Sequence, residues 1–183
     1  MSIHLVLYSN NEPFNTTKQL TIESVNKSPS ISVKRNIIIH DFNLKKLQQH
    51  KLYHLIENLP TIDRPGRRDG YYCAYKIICP YEIYHSMNND DIVYYVDSSQ
   101  YYRTGFTNHI DKLCDIVEKI GFIAGSVGDD VKNNSYQCCD NIDVWNKIIP
   151  NNDNSKYLSD RHVLASWFIL KKIIKIHYLW MNG

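Results

Sequence analysis

Short apolar runs alternate along the chain with stretches that turn or wind. Residues 3–8, Ile-His-Leu-Val-Leu-Tyr, stop at the turn formers Ser9, Asn10, Asn11, Glu12 and Pro13, which predicts a buried strand emptying into a loop. Ile37, Ile38, Ile39 and His40 repeat the pattern after the polar, Pro-containing stretch 23–36 and predict a second strand. From Asn43 to Leu59, the residues Leu44, Leu47, Leu52, Leu55, Ile56 and Leu59 recur mostly at intervals of three and four. With Asp41 or Asn43 as a cap, they predict one amphipathic helix. Residues 60–70, ending Pro65-Gly66-Arg67-Arg68-Asp69-Gly70, form a basic loop rich in helix breakers. Tyr71 to Met87 reads as helix, with Pro80 tolerated only near a first turn or at a kink. Ile92-Val93-Tyr94-Tyr95-Val96 is five β-formers in a row, the strongest strand signal, and it delivers Asp97, Ser98 and Ser99 at its carboxyl end. A helix at about 108–119 and a strand at 122–127 follow. The last element, 158–180, mixes the two periods and stays open between helix and strand.

Strand and helix in alternation imply an α/β fold with a mainly parallel, doubly wound sheet and right-handed crossovers. Such sheets bind ligands beyond the carboxyl ends of their strands, so Ser9, Asn10 and Asp97 are expected on one edge. The length of 183 residues fits a single domain spanning 1–183. With 43% apolar and 22% charged residues, the chain is neither disordered nor fibrous.

A net charge of +2 is too small to make nucleic acid or an anionic membrane a partner by charge alone. No apolar run approaches the roughly 18–20 residues of a bilayer span, and Met1 to Tyr8 has no basic leader and no cleavage site. A soluble, cytoplasmic protein is expected. Five cysteines without a C-x-x-C pair fit reduced thiols, not a disulfide framework or a zinc knuckle. Asn-x-Ser/Thr occurs at Asn15, Asn26 and Asn133, in a chain rich in Asn with nothing else to mark it for secretion. Asn, Ile, Lys and Tyr supply 70 of the 183 residues, and their A- and T-rich codons point to an AT-rich genome.

The segment 67–106 concentrates the candidate chemistry. A carboxylate ending a buried strand beside small polar residues, here Asp97, can hold a divalent cation against a diphosphate. Arg67, Arg68 and Lys76 would add positive charge, the guanidinium groups gripping phosphate oxygens in pairs. The same residues also serve ordinary ends, an Asp as a strand-end cap and Arg-Arg as a solvated patch. His50 and His54 stand at i, i+4, a spacing that can bind metal, but the accompanying glutamate of H-E-x-x-H is missing. Nine tyrosines between Tyr71 and Tyr102 include core residues and two or three expected at a ligand cleft, where aromatics stack on bases and sugars.

The order Gly70-Tyr71-x-x-x-Tyr75-Lys76, helix, Asp91-Ile92-Val93-x-Tyr95-x-Asp97-Ser98 resembles small GT-A-type glycosyltransferase-like proteins of bacteria and large DNA viruses. The similarity covers roughly residues 1–170 and extends to a late Ser-Trp segment, Ser166-Trp167. It implies a Rossmann-like GT-A (nucleotide-diphospho-sugar transferase) fold, with a nucleotide-sugar-binding half at 1–127 and a reduced acceptor-side half at 128–183. It implies Mn2+ or Mg2+ at Asp97, with Ser99 in the place of a second acid. Lys76 would face the nucleotide, and Tyr8, Ser9 and Asn10 would lie against its base and ribose. A C-terminal histidine, His177 or His162, would complete the metal's ligands. The chain departs from the family pattern at Ser99, at Tyr75 in place of Trp, and at a proline displaced to Pro80. A lone carboxylate binds a cation less tightly than a pair.

The resemblance implies transfer of a sugar from a nucleotide-diphosphate sugar to a glycan, protein or small-molecule acceptor, in the host cytoplasm if the source is viral. An inverting transfer needs a carboxylate base, for which Asp129, Asp130, Asp143 and Asp160 qualify equally; a retaining one could use the leaving phosphate. One alternative is a catalytically inactive nucleotide-sugar-binding or interaction module. A second is a metal-dependent nuclease or phosphatase built on Asp90, Asp91, Asp97, Asp129 and Asp130.

Overall fold

The computed structural model describes residues 1–27, 35–57, 75–98, 107–126 and 163–172. The chain divides into two compact units, Met1–Ile123 with Ser166–Ile174, and Ala124–Ala165 with Lys175–Gly183. Of the second unit, the described residues are 124–126 and 163–165, the parts of two strands that enter it.

In chain order the elements are β1 (Ser2–Tyr8), α1 (Phe14–Lys27), β2 (Asn36–Phe42), α2 (Leu44–Gln48), a 3-10 turn (Tyr53–Leu55) and α3 (Tyr75–Ser86). Then come β3 (Ile92–Val96), α4 (Thr107–Ile120), β4 (Phe122–Ser126) and β5 (Val163–Lys171). The strands form one sheet in the order β2-β1-β3-β5-β4. β1 pairs in parallel with β2, Ser2 opposite Asn36 through Tyr8 opposite Phe42, and with β3, Ile3 opposite Ile92 through Val6 opposite Tyr95. β5 runs antiparallel to β3, Val96 opposite Trp167.

The expectation of a mainly parallel sheet is therefore met at two pairings, and the sheet is mixed. β5 reaches β3 at its carboxyl end, beside Val96, and runs back toward Ile92, a direction that needs no crossover helix. The element left open at 158–180 is this strand over Val163–Lys171.

Strand alternation sorts the core of the first unit. Ile3, Leu5 and Leu7 of β1 and Ile92, Tyr94 and Val96 of β3 share one cluster with Val25 of α1, Ile110, Cys114 and Val117 of α4, and Ile169 of β5. The opposite face, carrying Tyr8, Val93 and Tyr95, is covered by α3, which packs on β1 and β3. β3 is buried at all five residues, as a strand between two neighbours must be.

Two helices depart from the sequence pattern. α1 is missed by it because the residues it buries are Lys18, Thr21 and Val25, of which only one is apolar. Its first turn is held by Glu12, whose carboxylate accepts from the Thr16 N–H at 3.3 Å and the Thr16 hydroxyl at 2.7 Å, a negative charge at a helix N-terminus.

The single helix expected over 43–59 is broken. Asn43 does cap α2, accepting from Lys46 N–H at 3.0 Å, but α2 ends at Gln48. The reason lies in His50, whose Nδ1 accepts the Leu52 N–H at 3.0 Å and so takes a donor that a continuing helix would need. His54 turns its Nδ1 to the Lys51 carbonyl at 2.8 Å, and His50 faces Glu82, so the i, i+4 pair shares no ligand position. α4 ends at Gly121, whose φ of 86° is the left-handed turn that glycine takes without strain.

Candidate functional site

The strand order places a topological switch between β1 and β3. The chain leaves β1 for β2 on one side, by way of α1, and returns to β3 on the other side, by way of α3. In open α/β sheets, ligands bind beyond the carboxyl ends of the strands at such a point. Tyr8, Ser9 and Asn10 leave β1 there and Asp97 leaves β3, on the same edge as expected.

Period two along β3 puts Tyr95 and Asp97 on the α3 face, and Lys76 stands in the first turn of α3. The three meet: Lys76 Nζ donates to Asp97 Oδ2 at 2.8 Å, and the Tyr95 hydroxyl donates to Asp97 Oδ1 at 2.6 Å. The Asp97 backbone is fixed as well, its N–H donating to the Ser166 carbonyl at 2.8 Å. Burial, and then the neighbouring Asp97 charge, push the Tyr95 hydroxyl well above the usual phenol range, so it remains a donor. The carboxylate keeps 22% of its side chain exposed and Lys76 keeps 19%, so the pair faces water in part.

At the exit of β1 the arrangement is more closed. The Tyr8 ring is buried and stacks on Tyr75 with centroids 4.1 Å apart. Ser9 is buried, its hydroxyl donating to Asn15 Oδ1 at 2.6 Å and its N–H to the Phe42 carbonyl at 3.3 Å. Asn10 is half-buried. One strand away, Lys18 of α1 lies buried, donates to the Phe42 carbonyl at 2.8 Å and pairs with Asp41. The sequence reading gives Lys18 no part, takes Asp41 only as a helix cap and gives Tyr95 no bond to Asp97. The partners of Lys18 lie on β2, 23 and 24 positions away, and no spacing along the chain announces them.

Arg67, Arg68, Ser99, His162 and His177 lie outside the described residues. Asp90 and Asp91 stand at the amino end of β3, opposite Asp97, and Asp91 accepts from the Ser2 N–H at 2.6 Å, so these acids do not converge.

Of the residues expected to hold Mn2+ or Mg2+, Asp97 alone is described. Each Asp97 oxygen already accepts a hydrogen bond, one from an ammonium that a dication would repel. Among the described residues, no three His, Cys, Asp or Glu side chains gather as a metal group.

Among the described residues no helix is long and apolar enough to cross a membrane. No family model matches the chain, and no curated protein matches it. Among solved structures it is similar to mouse xyloside xylosyltransferase 1 in its apo form, with a TM-score of 0.51 and 9% identity over 93% of this chain and 67% of that one. The likeness is one of fold: a mixed α/β sheet of five strands with helices, similar to that of the xylosyltransferase.

Proposed function

We propose that the chain is a glycosyltransferase that holds a nucleotide-diphosphate sugar in the crevice beyond β1 and β3 and passes the sugar to a glycan, protein or small-molecule acceptor. The observation that carries the reading is the array of Tyr95, Asp97 and Lys76 at the switch point, a charged and partly open group where such folds take their ligands. The fold likeness to a xylosyltransferase supports it.

In the transfer, the bond from the sugar's anomeric carbon to the β-phosphate oxygen breaks, and its electron pair stays on the phosphate. The acceptor oxygen bonds to the anomeric carbon, and the acceptor's proton passes to a carboxylate base or to the departing phosphate. Lys76 orients the diphosphate and offsets the charge that grows on it, Asp97 holds Lys76, and Tyr95 holds Asp97. No step is assigned to a metal ion.

The test is a thermal-shift and calorimetric screen of UDP- and GDP-sugars, followed by turnover measured on the donors that bind. A bound donor raises the apparent melting temperature by mass action. Asp97→Ala is expected to weaken donor binding at least tenfold while the protein still melts cooperatively. Unchanged donor affinity in that variant overturns the reading.

A second reading, a module that binds nucleotide sugar without turning it over, is favoured by one observation: the acid at the site is already engaged by Lys76 and Tyr95. Tight donor binding with neither transfer nor donor hydrolysis selects it.

A further inference from the structure

We propose that the Ser166 hydroxyl is a specificity contact of the donor site, donating to a sugar hydroxyl of the nucleotide sugar that in turn donates to Asp97. The inference rests on the donor-binding reading above and names a further residue of that same site and the chemical group it reads.

The register of β5 brings Ser166 to the site. Tyr95 stands opposite Phe168 and Val96 opposite Trp167, and the Asp97 N–H, donating to the Ser166 carbonyl at 2.8 Å, carries the pairing one residue further. Residues opposed across an antiparallel pair share a face, with Cβ atoms about 4.5–5.5 Å apart. The Tyr95 and Phe168 rings obey this, stacked with centroids 5.3 Å apart, while Trp167 turns to the other face and packs on the core cluster. Ser166 therefore shares the face of Tyr95 and Asp97, at the carboxyl end of β3, where sheets of this kind take their ligands.

Its hydroxyl is left over. The Ser166 Oγ is buried, and among the described residues no group donates to it or accepts from it. Buried polar atoms are paired as a rule, and one left unpaired carries a desolvation cost with no bond to offset it. The side chains around Asp97 are by contrast engaged, Lys76 donating to it at 2.8 Å and Tyr95 at 2.6 Å. An alanine would fill the same strand position without that cost. A ligand group supplies the bond that the fold does not.

The chemistry of the two residues defines that group. Ser166 offers one O–H donor and two lone pairs. Asp97 can only accept, and with one hydrogen bond at each oxygen it keeps about two of its four lone-pair sites. A ligand group bonded to both must donate to the carboxylate, which an ionised phosphate oxygen cannot do. A sugar hydroxyl can, giving its proton to Asp97 while its oxygen accepts from Ser166. Asp97 keeps 22% of its side chain exposed, which leaves it open to an arriving group.

The experiment uses the full chain, native and Ser166→Ala, and titrates UDP-glucose, UDP-galactose, GDP-mannose, UDP and GDP by calorimetry in the presence of Mn2+. Analogues of the best donor that lack one hydroxyl each, on the transferred sugar or on the ribose, follow. Ser166→Ala should weaken the best donor about five- to tenfold, the loss of one hydrogen bond. One deoxy analogue should show the same loss against the native protein and no further loss in the variant. A loss seen with UDP or GDP alone assigns the hydroxyl to the ribose, and a loss confined to the sugar nucleotide assigns it to the transferred sugar. The free variant should melt at or above the native temperature, because an unpaired buried hydroxyl has been removed.

Ser166→Ala binding every donor within twofold of the native protein overturns the inference and leaves the donor reading standing. So does a loss that every deoxy analogue shares, or a lower melting temperature in the free variant, since the hydroxyl would then serve the fold. No binding of any sugar nucleotide or nucleoside diphosphate by the native protein overturns the donor reading and this inference with it.

Discussion

His4 Nδ1 and His40 Nε2 stand 2.8 Å apart on neighbouring parallel strands, and His4 Nε2 lies 3.4 Å from Asp91 Oδ2. Asp91 can only accept, so in the neutral pair His4 Nε2 carries a proton toward it and His40 Nε2–H donates to His4 Nδ1. The cluster binds the amino ends of β1 and β3 together and is separate from the Asp97 edge. Its consequence is acid sensitivity. Burial, then His4 and Lys46, lower His40 to about 4 from its ordinary 6.5. Burial pulls Asp91 upward, but the Ser2 N–H and His4 outweigh it and leave it below the usual carboxylate range. Both groups bind fewer protons when folded, so stability is full above about pH 6.5 and falls as the pH drops toward 4. For a half-buried ring the loss is on the order of 1–2 kcal/mol. Urea unfolding at pH 7 and pH 4.5 measures it, and His40→Gln should flatten the difference; an equally steep profile in that variant would show that His40 is not the cause.

Arg35 is buried and holds three acids of α4, Asp111 at 2.9 Å, Asp115 at 2.7 Å and Glu118. Burial alone would lower its pKa, but the three carboxylates reverse that and raise it further. Arg35→Met removes the cation and leaves three like charges on one helix face. We expect a loss of about 2–4 kcal/mol in unfolding free energy. Arg35→Lys should recover only part of it, because an ammonium lacks the fork that reaches several carboxylates. Chemical denaturation of the two variants checks this, and a loss below about 0.5 kcal/mol in Arg35→Met would refute it.

Lys18→Met deletes the buried ammonium that joins the Phe42 carbonyl to Asp41. The expected cost is about 1–3 kcal/mol, since the carbonyl keeps only the Ser9 N–H and the carboxylate loses its counter-charge. Donor binding at Asp97 should survive, because Lys18 belongs to the α1 side of the sheet. Thermal melts with and without the preferred nucleotide separate the two effects.

Tyr95→Phe removes one hydroxyl from the buried face without changing the ring. A charge-assisted hydrogen bond to Asp97 is lost, which predicts about 1–2 kcal/mol of stability. A three- to tenfold loss in nucleoside diphosphate affinity should accompany it as Asp97 loosens its hold on Lys76. Unaltered affinity would mean that Tyr95 matters to the fold alone.

The two described cysteines should be inert. Burial pushes Cys114 up to about 12 and Cys79 higher still, so neither is a thiolate near neutral pH. Peptide mapping after a pulse of maleimide at pH 7.5 should find both unmodified in the folded protein and both labelled in urea.

What the sequence discloses here depends on whether a partner is near in the chain. β3 is legible to the residue because five β-formers stand together between polar turns, and β1 and α4 are nearly so. α1 is hidden, since a lysine and a threonine occupy two positions of its buried face. The break after Gln48 is hidden too, because it depends on a single imidazole turning back to its own backbone. The sequence marks Asp97 and Lys76 as neighbours of one ligand; their bond to each other, across 21 positions, is a fact of folding. The His4 cluster joins residues 36 and 87 positions apart and leaves no local trace.

Strand β3 has a bonded neighbour on either edge and no exposed residue, so its end carries no slack. Asp97, one residue beyond that strand and tied by its N–H to Ser166, has its main chain anchored there. Any accommodation of ligands of differing reach would then fall to side chains, while the sheet beneath stays still.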